Sequence, residues 1–196
     1  MKIVVNQPID ANAEDAQRAF LDPGFYRSLG ELPGISAPEV RSISVGPERA
    51  HLVLGYKFSG QLNGIARSIL DPEKLSWAQE TEIDLATRHT DLRMIPDNYA
   101  KLLQFSGWYE LRDSEGGAGG TGGTGGTGGA GGGGGAGGGG RGSGACSQHF
   151  EADLRVRLAV LGPLAERALA GGIRENLATT AQLVGRYVAD NPHNRT

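Results

Sequence analysis

The stretch from Gly162 to Asp190 constrains this chain more than any other. Apolar side chains fall at Leu161, Ala165, Leu169, Ile173, Leu177, Val184 and Val188, close to a four-residue step, with Ala168, Gly172 and Tyr187 flanking them. Such spacing predicts one long helix with one covered face. Pro163 suits the first turn, where its missing N–H is no loss, Glu166 sits near the positive end of the helix dipole, and Asn191-Pro192 stops the run. At about 1.5 Å per residue the helix is roughly 40 Å long, the length of strands nine to eleven residues long. A rod of that length requires a long sheet to cover it. Gly171-Gly172 conflicts with this pattern, because each glycine costs roughly 1 kcal/mol relative to alanine in a helix interior. A bend, a close approach of sheet backbone, or room for a bound ligand beside the helix would account for the pair.

The residues before the helix supply the sheet. Ile3, Val5 and Ile9 begin a first strand that Pro8 places near an edge. Asn12 is the N-cap of a short helix with Asp15 three residues on and an apolar face of Ala16, Ala19 and Phe20; Asp22-Pro23 ends it. Phe25, Tyr26 and Leu29 mark a second short helix before Gly30 and Pro33-Gly34. From Glu39 the period becomes two. Candidate strands cover residues 40–45, a run with Leu52, Leu54, Tyr56 and Phe58 on one face, residues 65–70, and a run with Trp77, Gln79, Thr81 and Ile83 opposite Glu80, Glu82 and Asp84. Thr90, Leu92 and Met94 continue the sheet, and two further faces, Phe105, Gly107, Tyr109, Leu111 and Phe150, Ala152, Leu154, Val156, Leu158, Val160, read as a hairpin. The expected order is strand, two short helices, about six antiparallel strands and a long helix. This is an α+β chain in which a curved antiparallel sheet wraps the terminal helix.

Between the hairpin strands lies a tract, residues 116–144, that holds 21 of the 33 glycines; outside it glycine usage is ordinary. With hardly a side chain to bury, the tract reads as a disordered loop inserted in the hairpin, where loop-closure entropy grows slowly with length. Residues 1–115 and 145–190 then form one domain, and 191–196 a tail. The tract lacks collagen's proline, and no Lys-Ser/Thr and helix follow it as a phosphate loop would require.

A net charge of −3 with both signs dispersed and no basic run argues against nucleic acid or an anionic membrane surface as partner. No apolar run approaches the roughly 20 residues that cross a bilayer, so no stable membrane insertion is expected. The single Cys146 forms no internal disulfide, and with no signal-like segment this implies a cytoplasmic location. His51, His89, His149 and His193 share no metal-ligand spacing, and no nucleophile elbow, P-loop or dinucleotide fingerprint occurs; no metal and no cofactor are expected. His51 and His89 fall on the outward side of the alternation.

The element order resembles the helix-grip fold of START-like (SRPBCC) proteins, a superfamily with birch-pollen-allergen, lipid-transfer and polyketide cyclase/aromatase members. Asp22-Pro23-Gly24-Phe25-Tyr26, Trp77 opening a strand, Phe105-Ser106-Gly107-Trp108-Tyr109 and the approach from Leu158 to Gly162 look like an actinobacterial family of START-like proteins with no assigned reaction. The resemblance implies a cavity between sheet and helix, whereas the glycine insert departs from that family's short hairpin.

If the helix lies across the sheet, the polar and aromatic members of the inward faces line such a cavity: Tyr56, Trp77, Gln79, Thr81, Thr90 and Tyr109 from strands, with Ile173, Asn176 and Thr180 from the helix. So many polar groups on apolar faces exceed what a dry core accommodates, since each unpaired one costs about 1 to 3 kcal/mol when buried. Bonding to one another, or water near the sheet ends, is the competing explanation. The function expected is binding of a small hydrophobic molecule, lipid or polyketide-like, with no assigned catalysis. A cyclase/aromatase-like or hydrolytic enzyme would use the same cavity with Tyr56, Tyr109 or Arg93 exchanging a proton; a cavity-free interaction protein is the third reading.

Overall fold

A computed structural model describes residues 1–30, 32–61, 70–114, 144–158 and 162–191. All but Leu70 of the candidate strand at 65–70, the glycine tract up to residue 143, Val160, Leu161 and the tail from residue 192 lie outside these. Strand β1 (Lys2–Ile9) is followed by helices α1 (Ala13–Leu21) and α2 (Pro23–Ser28), then β2 (Glu39–Val45), β3 (Arg49–Lys57), a 3-10 turn (Pro72–Lys74), β4 (Ser76–Asp84), β5 (His89–Pro96), β6 (Leu103–Asp113), β7 (Cys146–Val156) and helix α3 (Gly162–Asp190). The seven strands form one curved antiparallel sheet in the order β1-β7-β6-β5-β4-β3-β2. The first and last strands of the chain's β-structure are therefore neighbours, with β1 on one edge and β2 on the other.

Local chemistry fixes the elements. Asn12 caps α1 by accepting from Asp15 N at 2.8 Å, and Asp22 both ends α1 and caps α2, accepting from Gly24 N at 2.7 Å. Phe25 and Tyr26 are buried by α2, and the Tyr26 hydroxyl donates to the Phe20 carbonyl at 2.7 Å. Phe20 meets Phe25 and Tyr109, each with ring centroids 5.8 Å apart, so the helix pair sits on the sheet's inner face near Tyr109. Inward and outward residues alternate along every strand from β3 to β7: Leu52, Leu54, Thr81, Ile83, Thr90, Leu92, Tyr109, Phe150 and Leu154 are buried, while His51, Glu82, Asp91, Arg93 and Asp153 are exposed. The last strand of the hairpin ends at Val156, and Leu158 lies beyond it.

Helix α3 packs on β1, β7 and α1. Its buried stripe differs from the four-residue reading. Leu169 is 39% and Leu164 58% exposed, and Ala168 is exposed too, whereas Gly162, Ala170, Ala181, Val184, Gly185 and Val188 are buried. At 100° per residue a strict four-residue step drifts by about 40° each time, so Ala165, Leu169 and Ile173 wind away from the line through Ala181, Val184 and Val188. The covered line alternates steps of four and three. At its start the Glu166 carboxylate accepts from Val156 N at 3.0 Å and faces the chain's amino group at 3.7 Å. Midway, Gln7 of β1 donates to the Leu177 carbonyl at 2.9 Å and to Gln148 of β7. At its end the Tyr187 hydroxyl donates to Asp22 Oδ2 at 2.7 Å, with Phe25 against its ring at 5.4 Å.

A candidate ligand groove beside the terminal helix

Helical periodicity divides the inner surface of α3 in two. Ala170, Leu177, Ala181, Val184 and Val188 meet β1 and β7. Tyr187 turns instead towards α2, and Leu183, Thr180, Asn176, Gly172 and Leu169 stand on that same flank, at steps of three and four. This flank faces the middle of the sheet. Among the described residues its last turn is closed by Phe25 and Asp22, whereas Gly172, Ile173, Asn176 and Thr180 are partly exposed. A methyl group built on Gly171 or Gly172 meets nothing within 4 Å among the described residues, so a close approach of β1 to β7 backbone does not account for the glycine pair. Gly185 differs, since a methyl group there would lie 3.2 Å from the Cβ of Asp10.

The floor of the groove comes from β3 to β6. Antiparallel register sets Tyr56 opposite Trp77, Gln79 opposite Met94, Ile83 opposite Thr90, Thr90 opposite Tyr109 and Met94 opposite Phe105. Burial falls along these rows. Thr81, Thr90 and Tyr109, on the side covered by α1 and α2, are buried, whereas Trp77, Gln79, Met94 and Phe105, towards the start of α3, remain half-buried. The two aromatic rings Tyr56 and Trp77 stack with centroids 5.7 Å apart and 20° between planes. Burial on the inner face is thus most complete beside the aromatic cluster of α1 and α2 and falls off towards Trp77, Met94 and Phe105.

Polar atoms punctuate this surface. The Tyr109 hydroxyl is hydrogen-bonded to Thr90, and Gln79 Nε2 lies 3.5 Å from Thr81 Oγ1, the limit of a useful bond. Part of the inward polar set is accordingly satisfied internally. The Tyr56 hydroxyl has no hydrogen-bond partner among the described residues, and Asn176 Oδ1 is a buried acceptor with none. Burial pushes the Tyr109 phenol up to about 12 against the opposing hydrogen bond from Thr90, and pushes Tyr56 higher still, with Tyr109 adding to the shift. Tyr26 is raised as well, first by burial and then by Tyr109 and Tyr56. Three neighbouring phenols are therefore neutral donors throughout the physiological range.

All six strand residues expected to line a cavity stand on the inner face, and Ile173, Asn176 and Thr180 stand on α3 facing the sheet side. Tyr56, Trp77 and Gln79 come together at one end, and Thr81, Thr90 and Tyr109 at the more sealed one. Met94 and Phe105 share this inner face and are partly exposed, as alternation implied for their facing, and Leu169 is exposed on α3. Arg93 does not join them, because it lies on the outer face and bonds to Glu80 with Nε 2.7 Å from Oε2. That outer face carries a recess of about 500 Å³ lined by Lys2, Glu80, Glu82, Arg93, Trp108 and Glu151 among others. Its walls are charged and largely ion-paired, as in Lys2–Glu151 at 2.6 Å, so it is a solvated sheet surface rather than the space between sheet and helix. His89 and His149 also face outward there, flanking Trp108 at 5.3 and 5.2 Å. Among the described residues no group of three His, Cys, Asp or Glu side chains can hold a metal ion, and no helix is long and apolar enough to cross a membrane.

No family model and no curated protein matches the sequence. Solved structures match the fold along almost its whole length. Zhui aromatase/cyclase from Streptomyces is 12% identical, with a TM-score of 0.59 over 98% of this chain and 95% of that one. A protein from Thermus thermophilus is 12% identical, with a TM-score of 0.58 over 97% and 98%. A point mutant of norcoclaurine synthase from Thalictrum flavum, in complex with a transition-state analogue, is 14% identical, with a TM-score of 0.54 over 98% and 96%. At these identities the likeness defines the fold: this chain has the helix-grip architecture.

Proposed function

We propose that this protein binds a small, largely apolar molecule in the groove between the open flank of α3 and the inner face of β3 to β6. One observation carries the reading: Trp77, Met94, Phe105 and Ile173 are apolar, point inward and yet are not fully buried. Apolar side chains at inward positions of a packed domain are ordinarily sealed, whereas a concave apolar surface with a few placed polar groups is the usual form of a small-molecule site. A ligand lying there would cover the indole of Trp77 and the side of α3 at Gly172 and Ile173, with Tyr56, Gln79, Thr81, Thr90, Tyr109, Asn176 and Thr180 as the polar groups that orient it. Titration with 1-anilinonaphthalene-8-sulfonate under native conditions, with Ile173→Glu as the control, tests this. Saturable enhancement lost in the variant supports the groove; enhancement unchanged in the variant overturns it.

A second reading, an enzyme on the same surface, has its own support in the neutral buried phenols. A phenol held protonated serves as a general acid, although its low acidity at neutral pH limits it as a base. Cyclisation of a bound polyketide-like chain needs chiefly a shaped space and one proton donor. Replacing Tyr56 and Tyr109 by Phe separates the readings: turnover lost while probe affinity persists favours the enzyme, and affinity lost with no turnover in either form favours the binder.

A further inference from the structure

We propose that the outer face of the sheet carries a proton-operated clamp, in which His89 and His149, when protonated, grip Trp108 from two sides and tie β5, β6 and β7 together. The clamp lies on the opposite side of the sheet from the proposed groove and does not depend on it. Register builds it: Glu110 of β6 stands opposite His89 of β5 and His149 of β7, and in the next outward row Trp108 stands opposite Asp91 and Glu151. Each imidazole therefore has a carboxylate across the sheet, another along its own strand and the indole on its diagonal. The ring centroids of His89 and His149 lie 5.3 and 5.2 Å from that of Trp108, with interplanar angles of 26° and 48°.

The two halves of the array are built alike. Glu110 gives Oε2 to the Arg112 guanidinium at 2.6 Å and turns Oε1 to His89 Nδ1 at 3.3 Å. Glu151 gives Oε2 to the Lys2 ammonium at 2.6 Å and turns Oε1 to His149 Nε2 at 3.3 Å. In each case a permanent cation anchors one carboxylate oxygen and leaves the other for an imidazole. The remaining ring nitrogens meet acceptors too: His89 Nε2 lies 3.4 Å from Asp91 Oδ1, and His149 Nδ1 lies 2.5 Å from Asn6 Oδ1. A neutral imidazole has one N–H and one lone pair and satisfies one of two acceptors. The imidazolium satisfies both, most plainly at His89, where both are carboxylates, and it sets a cation against the indole. Both glutamates are ionised wherever histidine changes charge. Glu110 is held below the ordinary carboxylate range by Arg112 first and by His89 as well, and Glu151 by Lys2 first and by His149 as well. Of the other charges at the border of the array, Glu82 of β4 stands opposite Asp91, Asp153 of β7 stands opposite Lys2, and Arg88 pairs with Asp113 at 3.8 Å. Histidine changes charge between about pH 5 and 8, so the clamp engages on acidification and releases as pH rises. Asp91, Trp108 and Glu151 also line the outer recess, so its charge follows the same protons.

Trp108 is the reporter. In the Trp77→Phe variant, where it alone emits, its fluorescence between pH 8 and 5 reads the clamp, because an imidazolium in contact with an indole quenches it. A loss of at least one third on acidification is expected, smaller in His89→Gln and in His149→Gln and absent from the double variant. With Trp77 in place, NMR of the imidazole ring protons gives a second reading. Trp108→Leu removes the cation–π contact and should move both histidine titrations about half a pH unit lower. Emission that does not change with pH, or that changes equally in the double variant, overturns the clamp, as do histidine titrations indifferent to Trp108→Leu.

Discussion

The two flanks of the terminal helix come from one element, yet they are built to opposite ends. The flank on β1 and β7 is closed from start to finish, by Glu166 on the end of β7, by Gln7 beneath Leu177, and by Val184 and Val188 in the core. The other flank is, among the described residues, closed at Tyr187 and elsewhere presents the partly or fully exposed Leu169, Gly172, Ile173, Asn176 and Thr180. The difference shows how a helix-grip fold can be stable while one flank of its helix stays less tightly covered. Stability is concentrated along one line of contact, so the other is free to be poorly packed.

Substitutions that act on one flank and spare the other are the way to break this comparison. The largest effect is expected from Val184→Asp, which puts an unpaired carboxylate at a position with 0% exposure; destabilisation above about 4 kcal/mol, read as loss of cooperative unfolding by circular dichroism, is expected from burying such a charge. Tyr187→Phe removes the bond that closes the flank's last turn and should cost about 1.5 kcal/mol in denaturant unfolding, since its acceptor is a carboxylate.

Alkaline titration sharpens the picture of the sealed end. Burial raises Tyr109 to about 12, and burial followed by the Asp22 carboxylate raises Tyr187 to about 12, both above the roughly 10 of an unfolded tyrosine. A raised phenol contributes stability in full below its unfolded value and loses it as pH climbs through its folded one. Stability should accordingly fall between about pH 10 and 12. Tyr109→Phe should flatten that fall in unfolding experiments, and a fall centred well below pH 10 would contradict the assignment.

On the open flank the signs change. Gly172→Ala should stabilise the unliganded chain by about 0.5 to 1 kcal/mol, because alanine is the better helix former and the added methyl meets nothing. The same methyl should weaken probe binding, a combination that no purely structural glycine produces. The smallest effect belongs to Leu169→Ala, within about 0.5 kcal/mol in thermal unfolding despite the loss of a large apolar side chain.

Much of the fold was legible in the sequence because its signals are local. Asn12 announced its helix by capping chemistry and Asp22-Pro23 marked where it ends, Pro163 and Asn191 bracketed α3, and the period of two in β3 to β7 gave the facing of nearly every inward residue. The helix stripe was legible only in part, since Ala165 and Leu169 fit a four-residue step that real helical geometry does not sustain. What was not legible is the lateral position of α3. A periodic pattern says that one face is covered, but not by which strands, and that choice decides whether Trp77 and Phe105 are core or groove. The open space beside Gly172 and the unpaired acceptor of Asn176 are facts of three-dimensional placement with no counterpart in local spacing. Arg93 is the misreading: it was expected to exchange a proton in the cavity, although it alternates with the inward Leu92 and Met94, and its bond to Glu80 holds it on the outer face.

The two tryptophans report on opposite faces of the same sheet, Trp77 on the inner face, where the groove is proposed, and Trp108 on the outer recess. Quenching by 1-bromonaphthalene, which acts at contact range, should therefore be measured in Trp108→Phe, where Trp77 alone emits, and in Trp77→Phe, where Trp108 alone emits. Saturable quenching of the first chain with none in the second is the expected result. Quenching of Trp108 alone, or of neither chain at saturating quencher, would contradict a ligand groove beside the helix.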